Sequence, residues 1–269
     1  MTNAPPVALT IAGSDCSAGA GIQADLKTFQ HFAVHGLTAI TCVVAESATL
    51  VRAVHPVPVA LLRDQVSLML DLFPVAAVKT GMLFSAAHVR AVAELLAAQP
   101  RLALVVDPVM IASTGTPLLE PDALQAYRES LLPLAKLITP NLPEAEALLG
   151  HTISNKEELV AAACQLAEIF KTNILLKGGH LDGPECLDVL VVDGETINFC
   201  GPRQVVAGSH GTGCTLSAAV TAELAMGATL PTAVGAAKAY LTSTLKHSYV
   251  FRCPGGGTIH ALNQGTVIG

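Results

Sequence analysis

The chain has 269 residues, of which 51% are hydrophobic and 13% are charged, so it can bury a large core and is predicted to be globular. Its net charge of −6, without a basic cluster, disfavours a nucleic-acid partner. The apolar runs are shorter than the roughly 20 residues that span a membrane, and the first ten residues do not resemble a signal peptide. We therefore expect a cytoplasmic protein with no membrane partner.

Apolar segments rich in Val and Ile alternate along the chain with segments of helical period. The predicted strands are 7–12, 37–45, 75–79, 102–107, 136–139, 173–177 and 187–192. The predicted helices are 20–34, 59–72, 85–98, 121–131, 156–170, 212–226 and 230–246. This alternation predicts an α/β fold with a mostly parallel central sheet flanked by helices on both faces. No linker or repeat interrupts it, so residues 1–269 are expected to form a single domain.

The first strand-to-helix loop, residues 12–29, contains the run GAGIQA at 19–24. This run matches the G-x-G-x-x-A pattern of dinucleotide-binding turns, and Glu46 ends the next predicted strand. The match is weak, because the glycines do not turn directly off the strand. Two other interpretations stay open. The glycines allow a close-packed helix start, or the loop lines a pocket for a small organic substrate with Asp15 or Asp25 facing it.

A second loop reads HGTGC at 210–214, just before a predicted helix. Its Gly-Thr-Gly turn lets backbone N–H groups converge at a helix start, where a phosphate binds favourably. Cys214 follows in the first turn, and its thiol is expected to have a lowered pKa and to act as a base or nucleophile. The alternative for Cys214 is a small packing residue. The seven cysteines form no C-x-x-C pair, which argues against disulfides and zinc. His210 abuts the Gly-Thr-Gly turn and is interpreted as a local structural contact in preference to a catalyst.

Polar side chains also follow three other predicted strands. Asp107 ends one strand, and Asn141 and Glu144 follow another. Oxygen ligands of this type suit Mg²⁺ that bridges to phosphates, although turn and helix capping explain each residue separately. Lys177, at a third strand end, is placed to meet phosphate charge or is a solvated terminus. Because ligands bind at the carboxyl ends of strands in such sheets, these residues are expected to share one site.

Six motifs together carry a resemblance to a known family. They read LTIAGSDCSAGAGIQADLKTF at 9–29, KTGML at 79–83, DPVM at 107–110, ITPNLPEAEALLG at 138–150, LLKGGH at 175–180 and HGTGCTLSAA at 210–219. Their order and spacing resemble the hydroxymethylpyrimidine/phosphomethylpyrimidine kinases of thiamine biosynthesis, which belong to the ribokinase-like superfamily. The resemblance implies a three-layer α/β fold and a homodimer. It also implies phosphorylation, with ATP and Mg²⁺, of 4-amino-5-hydroxymethyl-2-methylpyrimidine and then of its monophosphate.

The resemblance also implies roles for individual residues. The catalytic position and its anion hole are expected at Cys214, Gly211, Thr212 and Gly213. The metal ligands are expected at Asp107 and Glu144, and the ATP contacts at Lys177 and Asn141. The pyrimidine pocket is expected at Gly13, Ala20, Met82 and Val109, to which the loop interpretation above adds Asp15. Asp25 lies in the first motif and receives no role.

Glu46 departs from the family pattern, because family members usually have Gln at this position, where the amide holds the aminopyrimidine edge. A carboxylate replaces that amide only if it or the ring carries an extra proton, so Glu46 is included in the pocket and is expected to affect substrate choice. One rival is a pyridoxal kinase of the same Cys-containing branch, although Ala112 stands where its best-known members have a second lid cysteine. The others are a catalytically silent binding module on this fold, and a nicotinamide oxidoreductase that rests only on the weak glycine match.

Overall fold

The computed structural model describes residues 4–110, 120, 122–204, 208 and 210–265. The strands are β1 Val7–Asp15, β2 His35–Ser47, β3 Leu50–Pro56, β4 Val75–Thr80, β5 Ala103–Val106, β6 Leu137–Ile138, β7 Asn173–Lys177, β8 Glu185–Val192, β9 Glu195–Pro202, β10 Tyr249–Arg252 and β11 Thr258–Ala261. The helices are α1 Gly21–His31, α2 Val59–Leu72, α3 Ala86–Ala97, α4 Ala123–Ala126, α5 Leu142–Leu149, α6 Lys156–Phe170, α7 Thr212–Ala225 and α8 Leu230–Lys246. A π-helical turn, Tyr127–Leu131, continues α4.

Nine of the described strands form one sheet in the order β3-β2-β1-β4-β5-β6-β7-β8-β9. The neighbouring pairs from β2 through β7 are parallel, whereas the outer pairs β2–β3, β7–β8 and β8–β9 are antiparallel. β10 and β11 form a separate antiparallel hairpin. The prediction of a mostly parallel sheet is therefore confirmed.

Helices cover both faces of the sheet, and successive strand residues point into opposite cores. Val106 and Ile138 lie in the core that α2, α3, α5 and α6 cover. Their neighbours Val105 and Leu137 lie in the core that α7 and α8 cover, and α1 packs beside α7. The result is the predicted three-layer arrangement. Within the described residues, no helix is both long and apolar enough to cross a membrane.

The prediction did not include β3, α5, β9 or the β10–β11 hairpin. The strands among them carry mostly exposed or half-exposed residues and lack the continuous apolar run of a buried strand. α5 has only eight residues and a proline in its first turn, so its period is short. The helix predicted at 121–131 begins at Ala123 in the structure, and residue 121 lies outside the described residues.

β2 extends further than β1 at the edge of the sheet where the strands end. Asp15, the last residue of β1, pairs with Val44, whereas Glu46 pairs with Val51 of β3. The end of β2 is therefore one strand of a two-stranded ribbon that projects beyond the central sheet. The ribbon places Glu46 above the loop that follows β1, on the side where the parallel strands end.

Candidate active site

The N-terminus of α7 is built around Gly211. This residue has a φ of +81°, and a Cβ at its position would lie 1.9 Å from the carbonyl oxygen of Gly19, so only glycine fits there. The backbone N–H of Thr215 donates to the carbonyl of Gly211 and closes the first turn. The earlier N–H groups of a helix have no partner within the helix, and at Gly213 and Cys214 they suit an anion.

Asp107 lies buried directly beneath this first turn. Its Oδ1 accepts hydrogen bonds from Lys177 Nζ at 3.1 Å and from Thr139 Oγ1 at 3.3 Å, and its Oδ2 accepts from Ser217 Oγ at 3.1 Å. A Cβ on Gly213 would lie 3.3 Å from Lys177 Nζ and 3.5 Å from Asp107 Oδ2. The structure thus brings together the residues at 107, 177 and 213, which the sequence assigned to one site.

Glu144 and Asn141 cap α5. The side chain of Glu144 accepts from the N–H of Asn141 at 2.8 Å, and the side chain of Asn141 accepts from the N–H of Glu144 at 2.9 Å. Glu144 is also buried, and burial raises the pKa of its carboxyl to about 7; Asp107 acts in the same direction, and Lys177 opposes both. The capping interpretation is confirmed, and the same carboxyl lies within electrostatic reach of the pair formed by Asp107 and Lys177.

The charges around Lys177 fit a divalent cation. Two buried carboxyl groups, Asp107 and Glu144, interact with this single ammonium group. Mg²⁺ is commonly held by one or two carboxylates together with substrate phosphates and waters. Among the described residues, no group of three or more His, Cys, Asp or Glu side chains is arranged to hold a metal on its own. The donor set therefore suits a cation shared with a phosphate.

The thiol of Cys214 does not have the lowered pKa that its helix position predicted. Burial raises this pKa to about 11, and although Lys79 and the backbone of Gly21 oppose the effect, Asp25 and Asp107 reinforce it. The prediction was wrong because the burial of the thiol outweighs the favourable field of the helix N-terminus. Near neutral pH the side chain is a protonated thiol.

A buried ion pair near Cys214 was missed by the sequence analysis. Lys79 Nζ donates to both carboxylate oxygens of Asp25 at 2.8 Å, and Thr10 Oγ1 donates to the same carboxylate at 2.6 Å. Both charged side chains are fully buried. Burial lowers the pKa of Lys79, but Asp25, Cys214 and Asp107 raise it by more, so the ammonium is retained. The sequence signal that could have indicated this pair was a lysine near the end of the apolar run VAAVKT.

Asp15 anchors the loop that follows β1. Its carboxylate accepts hydrogen bonds from the N–H groups of Ser17, Gly19 and Ala20 and from the Ser17 hydroxyl, and it pairs with His210 Nε2 at 2.9 Å. Burial raises the pKa of Asp15, but these hydrogen bonds outweigh it and lower the pKa to about 2. The carboxylate thus organises the loop itself, and His210 makes the local contact that the sequence analysis favoured.

The predicted pocket residues Gly13, Met82 and Val109 lie near one another. Met82 and Cys42 belong to a small apolar cluster against which Val109 packs. A Cβ on Gly13 would lie 2.9 Å from Cys42 Sγ and 3.6 Å from Met82 Sδ, so the glycine leaves room beside this cluster. The predicted lid, residues 111–119 with Ala112, lies outside the described residues.

Glu46 is half-buried and interacts electrostatically with two residues of the neighbouring loop. Burial and the Asp15 carboxylate raise the pKa of Glu46, while His210 opposes them. The backbone of Glu46 is tied to the same loop, because Cys16 Sγ donates to its carbonyl at 3.2 Å. Glu46 and the loop at 16–20 are therefore linked by backbone and electrostatic interactions.

Comparison with known proteins identifies the family. Residues 15–257 match the sequence profile of the phosphomethylpyrimidine kinases. The chain belongs to the phosphomethylpyrimidine kinase family. It is 45% identical over 251 residues to the hydroxymethylpyrimidine/phosphomethylpyrimidine kinase of Haemophilus influenzae, which covers 92% of this chain and 93% of that one. Family membership excludes the nicotinamide oxidoreductase interpretation.

Solved structures from two kinds of kinase share this fold. The phosphomethylpyrimidine kinase of Clostridium difficile superposes with a TM-score of 0.78 at 39% identity, covering 88% of this chain and 98% of that chain. The pyridoxal kinase of Staphylococcus aureus, in complex with AMP-PCP and pyridoxal, superposes with a TM-score of 0.87 at 33% identity, covering 98% and 94%. The ribokinase-like fold is confirmed.

Proposed function

We propose that this phosphomethylpyrimidine kinase uses ATP to phosphorylate the hydroxymethyl group of 4-amino-5-hydroxymethyl-2-methylpyrimidine and then its monophosphate, in thiamine biosynthesis. The observation that carries the proposal is the first turn of α7, where Cys214 and two helix N–H groups stand next to Asp107 and Lys177. The full-length relative from Haemophilus influenzae carries the name of this activity, and the Staphylococcus aureus structure holds an ATP analogue.

In this proposal the anion hole holds the phosphoryl group in flight. Gly211 sets the turn, and the N–H groups of Gly213 and Cys214 face the transferring oxygens, whose negative charge the helix N-terminus stabilises. Lys177 adds a positive charge on the nucleotide side, with Asn141 beside it at the neighbouring strand end. Phosphoryl transfer needs mainly such positioning and charge stabilisation.

Asp107 and Glu144 are the residues that would hold Mg²⁺. When bound, the ion neutralises charge on the phosphate oxygens. Within the chain, Asp107 also fixes Lys177 and Ser217 through hydrogen bonds, so one carboxylate connects β5, β7 and α7. A substitution at Asp107 therefore removes a metal ligand and an orienting contact together.

Cys214 is assigned as the base that accepts the proton of the substrate hydroxyl. A thiol with a raised pKa is a poor base at the start of the reaction, but a loose transition state requires little proton removal early on. The nearby ammonium of Lys79 favours the thiolate and so assists the later proton transfer.

The pocket proposed for the pyrimidine combines an apolar wall with one carboxyl group. Gly13, Met82 and Val109 supply the wall, and Ala20 begins the adjacent helix. Burial and the Asp15 carboxylate raise the pKa of Glu46, and a carboxyl group that holds its proton both donates and accepts a hydrogen bond as an amide does. Glu46 is thereby suited to the aminopyrimidine edge although it replaces glutamine.

Pyridoxal phosphorylation is the second candidate, favoured by the close structural match to a pyridoxal kinase with bound pyridoxal. The test is ATP consumption by the purified protein with Mg²⁺ on the pyrimidine alcohol, its monophosphate and pyridoxal. Turnover of either pyrimidine is the expected result. Turnover of pyridoxal alone favours the second candidate, and turnover of none favours the catalytically silent binding module.

A further inference from the structure

Gln264 lies near the end of the described chain and is buried between two segments of the active site. Its side-chain Nε2 donates to the carbonyl of Gly19 at 3.2 Å and to the hydroxyl of Thr215 at 2.9 Å. Only 2% of Gln264 is exposed. The position also lies beyond residues 15–257, which match the family profile. One amide therefore joins the loop at 16–20 to the first turn of α7.

The orientation of this amide is fixed by its partners. The Gly19 carbonyl is only an acceptor, so the NH₂ end of Gln264 must face it. The same carbonyl is the atom that a Cβ on Gly211 would meet at 1.9 Å, which shows how closely the loop approaches the start of α7. Thr215 in turn donates its N–H to Gly211. Both contacts of Gln264 therefore act on the backbone around the anion hole.

The segment that carries Gln264 is itself held by α8. The hydroxyl of Tyr240 donates to the carbonyl of Gln264 at 2.9 Å, and the N–H of Asn263 donates to the carbonyl of Thr244. α8 packs against α7. The side chain of Gln264 is consequently held in one position and does not rotate freely.

We propose that Gln264 is a positioning residue that holds the first turn of α7 against the loop at 16–20, so that the N–H groups at 213 and 214 converge on the transferring phosphoryl group. This inference rests on the proposed kinase function. The amide does not reach the substrate or the nucleotide itself. Its loss misplaces the anion hole in the transition state and leaves the contacts that bind the two substrates in place.

The test compares steady-state kinetics and thermal unfolding of the full chain and its variants. Gln264→Leu removes the two donated hydrogen bonds and replaces the amide side chain with an apolar one of similar size. We expect kcat to fall about 10- to 100-fold, as small displacements of catalytic groups cause. Both KM values should stay within about threefold of wild type, and Tm within about 4 °C. Asn263→Leu is the matched control, because that side chain contacts Tyr249 and Gly265, and its kcat should be unchanged.

Thr215→Val provides a second route if the Gln264 variant does not fold, because it removes the same contact from the other end. In the double variant with Gln264→Leu, the losses in kcat should be smaller than additive if the two residues act through one hydrogen bond. Gln264→Glu supplies a pH readout: the ionised carboxylate cannot donate, whereas the protonated form can, so its kcat relative to wild type should rise as pH falls.

The outcomes separate the inference from the function beneath it. A wild-type protein without kinase activity refutes the proposed function. With an active wild type, a Gln264→Leu kcat within twofold of wild type overturns the positioning role. So does a loss of kcat in Gln264→Leu that Asn263→Leu reproduces with the same fall in Tm, because that result describes a general packing contact. A Thr215→Val variant with wild-type kcat likewise overturns the positioning role.

Discussion

Cys214 shows how burial and helix position act on one side chain in opposite directions. The helix N-terminus favours the thiolate, whereas the protein around the thiol raises its pKa to about 11. If Cys214 accepts the proton of the substrate hydroxyl, as proposed, we expect it to do so late in the reaction, when the substrate oxygen has already begun to bond to phosphorus. This order agrees with the loose transition state expected of phosphoryl transfer.

Replacing Cys214 should slow the reaction without disturbing the fold. Cys214→Ala is expected to lower kcat by about two to four orders of magnitude, the range typical of a lost general base. ATP consumption on the preferred pyrimidine gives the rate, and Cys200→Ala, at an exposed cysteine of β9, is the control and should be inert. A rate near that of wild type would reduce Cys214 to a packing residue.

Glu46 should govern which substrate is preferred more than how fast it is turned over. Glu46→Gln is expected to change the ratio of kcat/KM between the pyrimidine alcohol, its monophosphate and pyridoxal, with a smaller effect on maximal kcat. Because the folded-state pKa of Glu46 is raised, its proton is lost as pH rises through that value, so the wild-type ratio should vary with pH. The amide does not titrate, and the variant's ratio should stay flat. Identical ratios in the two proteins would remove Glu46 from the pocket.

The loop at 16–20 is the element that connects most parts of the site. It is held from within by Asp15, from the turn before α7 by His210 and from the C-terminal segment by Gln264. None of these contacts supplies a reacting atom. The element is ordered by side chains that come from distant parts of the sequence, which is why the glycine pattern alone gave three interpretations.

The Asp15 anchor should make stability depend on pH in a defined window. The folded-state pKa of Asp15 is lowered to about 2, so its stabilisation is present above the unfolded value near 4 and is lost as pH falls through about 2. The pKa of His210 is raised, so its stabilisation is present below about 6.5 and is lost as pH rises through the folded-state value. The ion pair is therefore strongest between about pH 4 and pH 6.5.

Urea unfolding of wild type and Asp15→Asn at several pH values measures this contribution. At pH 5 the variant should be less stable by about 2 kcal/mol, the free energy that corresponds to lowering a pKa from 3.8 to about 2. The difference should shrink as pH falls below about 4. Asp71→Asn, at an exposed position of α2, should show no comparable difference. A difference that does not change with pH would assign the loss to packing instead of charge.

At the scale of the whole molecule, the sequence predicted the elements that bury a regular apolar pattern. α2, α6 and α8 have the predicted bounds, and the central strands follow their apolar runs. The edge strands β3 and β9 were missed because half of their residues face solvent. A local apolar pattern indicates that one face of an element is buried, and an exposed edge strand lacks such a buried face.

The site was predictable where glycines and acids follow strand ends, and it was not predictable where partners lie far apart in the chain. Asp107, Lys177 and Gly213 were grouped correctly because parallel strands end at one edge. The contact between Lys79 and Asp25 spans 54 positions, and that between Gln264 and Gly19 spans 245. Nothing in either segment alone identifies the other.

The continuous sheet predicts that the chain unfolds as one unit, in agreement with the single domain expected from the sequence. Unfolding should give one calorimetric transition whose measured enthalpy equals the van't Hoff value for a monomeric species. Two separate transitions would divide the chain into domains.

The homodimer expected from the family resemblance stays a prediction, as does the cytoplasmic location. Sedimentation equilibrium over a range of protein concentrations tests the homodimer.

The ribbon at the end of β2 has a consequence for how such enzymes diverge. Glu46 stands on strands that project past the central sheet, so a change of its side chain leaves the buried layers undisturbed. A substitution at this position is therefore expected to cost little stability that other mutations would have to offset. If Glu46 lines the pocket as proposed, position 46 is a place where natural variation can change the preferred substrate while the residues of phosphoryl transfer stay unchanged.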